Sequence, residues 1–336
     1  MNQYPDYTFY PNYTIQPQPP VNLSKVRRHL GIGAVAIALV FVLATVAQFV
    51  IHGILLRVAP AITENEWYLW VLSVVPMYLF SMPVAYLFMR LIPASKPQKQ
   101  KVHPLMWIGF LCLCFALTYG ANILGQYFST WFSNLTGIQI ENELEEMTVS
   151  TPFAVNLLFV GILAPIFEEL FYRKAVIDRL RRYGDLPAIL ISGLAFGLVH
   201  GNFNQVFYTV AVGILLSFIY VRTGSVLYTI SIHAAFNFIG GVYSTELIRR
   251  VGQSLTPAEG DTVGLLMVAA YSLFTIASLI IGIIFFIANI KKFCRSLKKG
   301  EERLTFGEWM NVIFLNPGVW MFLAMIALLF LSSLLT

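Results

Sequence analysis

Apolar runs of about 20 residues restrict this chain more than any other feature. A helix needs roughly 20 apolar residues, at about 1.5 Å each, to cross the hydrocarbon core of a bilayer. Nine stretches are candidates: 31–55, 68–91, 104–126, 152–172, 187–201, 205–221, 225–243, 263–290 and 317–335. The fifth and sixth are short for a crossing. In lipid a backbone must satisfy its own N–H and C=O groups, so such runs fold as helices. Composition agrees, with 57% hydrophobic and 12% charged residues, against about 25% charged in soluble domains. The expected fold is all-α: a polytopic transmembrane helical bundle of about eight to nine spans.

The loops carry an orientation signal. Lys25, Arg27 and Arg28 precede the first run, and Lys96, Lys99 and Lys101 follow the second. Lys174, Arg179, Arg181 and Arg182 follow the fourth, Arg222 the sixth, and Lys291, Lys292, Arg295, Lys298 and Lys299 the eighth. The alternate loops are poorer in base, and one holds Glu141, Glu143, Glu145 and Glu146. By the positive-inside rule this places the N-terminus in the cytoplasm and the C-terminus outside; the expected location is the plasma membrane. Arg249 and Arg250 break the pattern, with Glu246, Glu259 and Asp261 nearby. The net charge of +5 follows from these loops and calls for no nucleic acid.

Four regions are expected. Residues 1–24 are rich in Tyr, Pro, Asn and Gln and read as a disordered cytoplasmic tail. Residues 25–130 and 262–336 hold flanking transmembrane helices. Residues 150–245 form a core that carries the chemistry. Cys112, Cys114 and Cys294 make neither a disulfide framework nor a metal motif.

Ionisable groups inside the runs are few, and a charge at the bilayer centre costs roughly 2.5–3.5 kcal/mol on insertion scales. Glu168 and Glu169 lie in the fourth run, within PIFEELFYRK, His200 at the end of the fifth, and His233 in the seventh. Polar groups at such depth face a bundle interior or a water-filled cavity, so these can converge. Glu169 and Arg173 are four apart and can pair on one helix face. Glu168 is rotated from Glu169 by about 100°, which leaves it without that partner and suited to act as a general base. Tyr172, four residues on, is placed to hydrogen-bond Glu168. Pro165, one turn earlier, is expected to kink the helix and open it to water.

Phe196 and His200 are also four apart, as are His233 and Asn237. Phe196 reads as packing that orients His200. Histidines and an amide can hold a metal-bound water, polarise a carbonyl or donate to an oxyanion. With one carboxylate base they suffice for peptide hydrolysis by activated water. Neither a GxSxG nor an HExxH motif occurs. Structural readings compete: a Glu169–Arg173 lock, or histidine and amide as interhelical glue.

The ordered set EExxxR at Glu168, Glu169 and Arg173, FxxxH at Phe196 and His200, and HxxxN at His233 and Asn237 resembles the CPBP family. These are the CAAX-protease and bacteriocin-processing, or Abi, membrane proteins. The resemblance covers roughly residues 150–245. It implies an intramembrane endopeptidase, glutamate-dependent or metallo, in which Glu168 is the base that activates water with His200. His233 and Asn237 would stabilise the oxyanion or help hold a metal, with Glu169, Arg173, Phe196 and Tyr172 in support. It leaves zinc open, since two histidines and a glutamate can bind it with a free position. The implied partners are membrane lipid and a membrane-embedded or lipidated peptide substrate.

Two other classes fit the composition. A proton-coupled transporter would use the glutamates and histidines as a relay, although no internal repeat is visible. A membrane scaffold or bacteriocin-immunity protein would keep the fold without cutting. One tension remains in the enzyme reading. With the fourth span ending at 172, Glu168 sits near its cytoplasmic end, while His200 lies about 20 Å along the fifth. The two meet only if these boundaries differ.

Overall fold

The computed structural model describes residues 21–65, 67–138, 140 and 143–334, with side chains from 147 onward in the last stretch. Residues 1–20 of the expected tail, Glu141, and the side chains of Glu143, Glu145 and Glu146 lie outside it. The described residues are helical throughout, apart from loops and one isolated bridge between Gly184 and Lys299.

Among the described residues seven helices are long and apolar enough to cross a membrane. They are α1 (Leu23–Val58), α2 (Tyr68–Met89), α3 (Pro104–Thr136), α5 (Phe153–Tyr183), α7 (Phe203–Thr223), α8 (Val226–Val251) and α9 (Thr262–Ser296). A short helix α4 (Glu143–Ser150) precedes α5. The final pair, α10 (Phe306–Phe314) and α11 (Pro317–Ser332), is bent by 69° and makes an eighth span if counted as one. The chain is an integral membrane protein with a polytopic helical bundle, as its apolar runs require.

The fifth run differs from expectation. It forms α6 (Asp185–Leu198), a helix of only 14 residues, about 21 Å long and too short to span alone. It survives at that length because it packs tightly on α7. A Cβ on Gly193 would stand 2.6 Å from the backbone nitrogen of Ile214, and one on Gly197 would meet the Val210 backbone at 2.5–2.7 Å. Such close approach of backbones is how small residues hold membrane helices together.

The fourth run also ends elsewhere. The hydropathy break near 172 is not a helix end, and α5 continues eleven residues to Tyr183. Several charged groups beyond 172 find partners in place. Arg173 binds Glu169, Ser192 and Ser217. Tyr220 donates to Asp178 at 2.7 Å, and Arg179 donates to the carbonyls of Met89 and Ala175. Gly184, at φ +126°, then turns the chain into α6 in a conformation that side chains resist.

The basic loops gather at one end of the bundle. Ser95 N–H donates to Asp178 O at 2.5 Å, Gln100 N–H to Thr223 O at 2.7 Å, and Arg181 to Lys96 O at 3.0 Å. Lys298 N–H donates to Asp185 at 2.8 Å, and Lys25 pairs with Glu302 at 2.8 Å. The exceptional Arg249 and Arg250 are paired with Glu246 and Asp261 respectively, each at 2.5 Å. The Arg250 guanidinium and the Gly264 N–H hold the Asp261 carboxyl below the usual carboxylate range.

Two apolar cores flank the middle of the bundle. One is built from α1, α2, α5, α6 and α11, the other from α3, α7 and α8 with α9 against it. The groups that carry charge at mid-depth lie between them.

Candidate active site

Glu168 lies close to the middle of α5, and His200 just beyond the end of α6. Each is 16 residues from Gly184, on opposite sides of the turn. On antiparallel helices that puts both about 24 Å from the turn, at one level. The longer α5 therefore removes the mismatch of depth, and both side chains line one cavity of about 790 Å³. His233 and Asn237 of α8 line it too, so all four expected catalytic residues converge there.

Glu168 is 16% exposed, and the neighbouring Glu169 is fully buried. Arg173 Nε donates to Glu169 Oε2 at 3.0 Å, which is the pair expected from spacing. His233 Nδ1 meets Glu169 Oε1 at 3.0 Å, and its Nε2 faces Glu168 Oε2 at 3.9 Å. Glu169 thus bridges a guanidinium and an imidazole. A buried carboxylate needs this much compensation.

Arg173 is anchored further by Ser192 of α6 at 3.1 Å and Ser217 of α7 at 3.2 Å. Its guanidinium carbon lies 4.8 Å from the centre of the Phe196 ring. That ring also packs edge-on to His200 at 5.1 Å and His233 at 5.7 Å. Phe196 is therefore a shared wall between both histidines and the cation. His200 Nδ1 donates to the Phe196 carbonyl at 2.8 Å. With that tautomer, Nε2 is left as an acceptor.

Pro165 acts differently from a simple kink. The α5 ladder opens into a wide turn over Leu157–Leu163, in which Ala164 N–H bonds Phe159 O, five residues back. The next such bond, to Val160 O, would need an N–H on residue 165, which proline lacks. Asn237 fills the gap, donating Nδ2–H to Val160 O at 3.0 Å. The amide keeps its second N–H and its oxygen for other partners.

Tyr172 does not bond Glu168. Its ring turns toward α6 and packs edge-on to Phe196 at 5.4 Å, and its buried hydroxyl has no partner among the described residues. A second wide turn over Glu169–Ile177 widens the spacing there. The long Arg173 chain spans it, and the tyrosine does not. Tyr78 of α2 holds Glu168 instead, donating to Oε1 at 2.7 Å, with its ring stacked on Phe167 at 5.1 Å. Nothing in the sequence pointed to Tyr78, Ser192 or Ser217, since each reaches the site only through tertiary packing.

A zinc ion would need at least three convergent donors. Among the described residues no three of His, Cys, Asp and Glu come together as a metal site requires. His233 Nδ1 is taken by Glu169, and one Glu168 oxygen by Tyr78. The atoms left over, His200 Nε2, His233 Nε2 and the second Glu168 oxygen, do not stand as a metal cluster in this arrangement, and no step below passes through a metal.

A family model described as "Type II CAAX prenyl endopeptidase Rce1-like" matches residues 150–239. Over that segment the chain is similar to the CPBP family. Over 116 residues it is also 29% identical to the Bacillus subtilis (strain 168) protein named "Putative membrane peptidase YdiL". That match covers 34% of this chain and 48% of the relative, so the chain spans about half the length of the curated relative it matches. No solved structure gives a significant match. At the family level this similarity is to CAAX-protease-like membrane peptidases. The matched segment contains Glu168, Glu169, Arg173, Phe196, His200, His233 and Asn237. Tyr78 and α3 lie outside it.

Proposed function

We propose that this protein is an intramembrane endopeptidase that cleaves a membrane-associated or lipidated peptide by glutamate-activated water. The observation that carries the reading is the pairing of two adjacent glutamates with different surroundings. Glu169 is buried and neutralised by Arg173 and His233, while Glu168 opens to a cavity shared with His200 and Asn237.

In this mechanism Glu168 takes one proton from a water molecule, whose remaining O–H donates a hydrogen bond to His200 Nε2. The hydroxide attacks the scissile carbonyl carbon. Its oxygen becomes an oxyanion that accepts hydrogen bonds from His233 Nε2–H and from the free N–H of Asn237. Glu168 then returns its proton to the amine that leaves. The His233 role requires a hydrogen on both ring nitrogens, because Nδ1–H already donates to Glu169.

Apart from its histidines, the cavity's one charged side chain among the described residues is Glu168. With no Lys or Arg to hold a terminal carboxylate, it suits an internal peptide bond. The basic loops at one end of the bundle favour a cytoplasmic N-terminus, and the plasma membrane is the proposed location. Tested by mass spectrometry, membranes from cells making wild type should contain peptide termini that are missing with Glu168→Gln at equal level. Matching profiles, with a cellular phenotype that persists in the variant, would favour a scaffold.

A further inference from the structure

Helix α3 is apolar along most of its length, yet one of its faces carries Thr118, Asn122 and Gln126, each four residues from the next. All three line the cavity that holds Glu168 and His200. Thr118 donates to Cys114 O at 2.9 Å and keeps its oxygen as an acceptor. Asn122 and Gln126 make no hydrogen bond among the described residues. Their lipid-side neighbours are Ile123, Leu124 and Tyr127, which are 54%, 61% and 74% exposed. Asn122 is half-buried and Gln126 exposed, so two uncommitted carboxamides on the cavity wall are open to water or a ligand.

Their spacing matches one ligand geometry. Side chains four apart on a helix repeat about every 6 Å along its axis. In an extended peptide, alternate residues present N–H and C=O to the same edge, and repeat about every 6.4–6.8 Å. A carboxamide carries a donor and an acceptor side by side, so each can pair with both groups of one residue. The face also has a direction. Cys114, one turn before Thr118, sits in the buried cluster that includes Ile232 and Phe236, beside His233. Gly125, beside Gln126, lies against Phe203 and Phe207 at the start of α7. The stripe therefore leads away from the level of His233, along the cavity wall.

We infer that Thr118, Asn122 and Gln126 form a ladder that reads the backbone of the substrate, which lies extended along α3. This rests on the peptidase reading and adds how the substrate is held: through main-chain groups near the scissile bond, largely independent of side-chain identity. Proline or N-methylated residues at those positions would be rejected. The ladder lies outside the matched segment 150–239.

Binding can be measured without turnover, using the full chain carrying Glu168→Gln in nanodiscs. The probes are an NBD-labelled, amidated hexapeptide of alternating Ala and Val, and its analogue N-methylated at every residue. The ladder predicts that the unmethylated peptide binds about tenfold more tightly. On Asn122→Leu/Gln126→Leu both peptides should bind with one weakened affinity, and each single leucine variant should lose part of the preference. Equal binding of the two peptides before the leucine changes, absence of binding, or a double variant that still discriminates would each overturn the ladder. The comparison of peptides on one protein needs no helix variant, so a misfolded variant cannot imitate the result. Failure of Glu168 as the base would instead show as turnover in Glu168→Gln, and would leave the binding result standing.

Discussion

Tyr78 donates a 2.7 Å hydrogen bond to Glu168 across 90 residues of sequence. The bond joins α2 to the matched core and fixes one oxygen of the proposed base, leaving the other toward His233 and the cavity. A hydrogen bond to a charged group contributes about 1.5–3 kcal/mol. Tyr78→Phe keeps the ring that stacks on Phe167 and removes only the hydroxyl. The initial rate of peptide release should fall roughly tenfold to a hundredfold, with the melting temperature lowered by only a few degrees. A rate equal to wild type would show that Glu168 does not depend on this bond.

The Glu169–Arg173 pair should behave as a unit. Both side chains are fully buried, and removing one partner of such a pair costs about 3–5 kcal/mol. Arg173→Met should therefore lower the melting temperature in detergent sharply. Glu169→Gln/Arg173→Met should melt higher than Arg173→Met, because no unpaired charge is left inside. If the double variant melts lower still, the pair is not what stabilises this region.

Asn237 and Pro165 make a coupled prediction. Asn237→Leu leaves Val160 O without a donor, which costs about 1–3 kcal/mol, and also removes a proposed oxyanion donor. Pro165→Ala restores a backbone N–H that can reach Val160 O. The double variant Asn237→Leu/Pro165→Ala should regain thermal stability but not peptide release. Recovery of both would assign Asn237 a structural role alone.

The α6–α7 contact should tolerate no added volume at Gly197. A Cβ there already meets the Val210 backbone, and overpacking costs about 1–3 kcal/mol. Gly197 is three residues before His200, so Gly197→Val should lower both melting temperature and peptide release. Gly53→Val, on a glycine with open space around it, serves as the control and should leave both unchanged.

What the sequence made legible divides along the range of its interactions. Glu169–Arg173 is a pair within one helix, and spacing alone found it. The convergence of Glu168, His200, His233 and Asn237 in one cavity followed from the cost of polar groups in lipid. The helix ends were misplaced for a related reason. Arg173, Asp178 and Arg179 look like the end of a span to a hydropathy window, yet each is satisfied inside the bundle and α5 runs through them. Residues 187–201 look like a span by composition, but the helix that Gly193 and Gly197 press against α7 is too short for one. Tyr172 was chosen by an α-helical period that the wide turn over Glu169–Ile177 does not keep. Tyr78 had no local signal, because its partner lies in another helix.

The central claim is that Glu168 activates the water that cuts a peptide bond. Membranes carrying wild type, Glu168→Gln or Tyr78→Phe can be incubated in water enriched in oxygen-18, and new carboxyl termini analysed by mass spectrometry. The account predicts labelled termini with wild type, the same termini formed more slowly with Tyr78→Phe, and none with Glu168→Gln. Labelled termini formed by Glu168→Gln at the wild-type rate would contradict it.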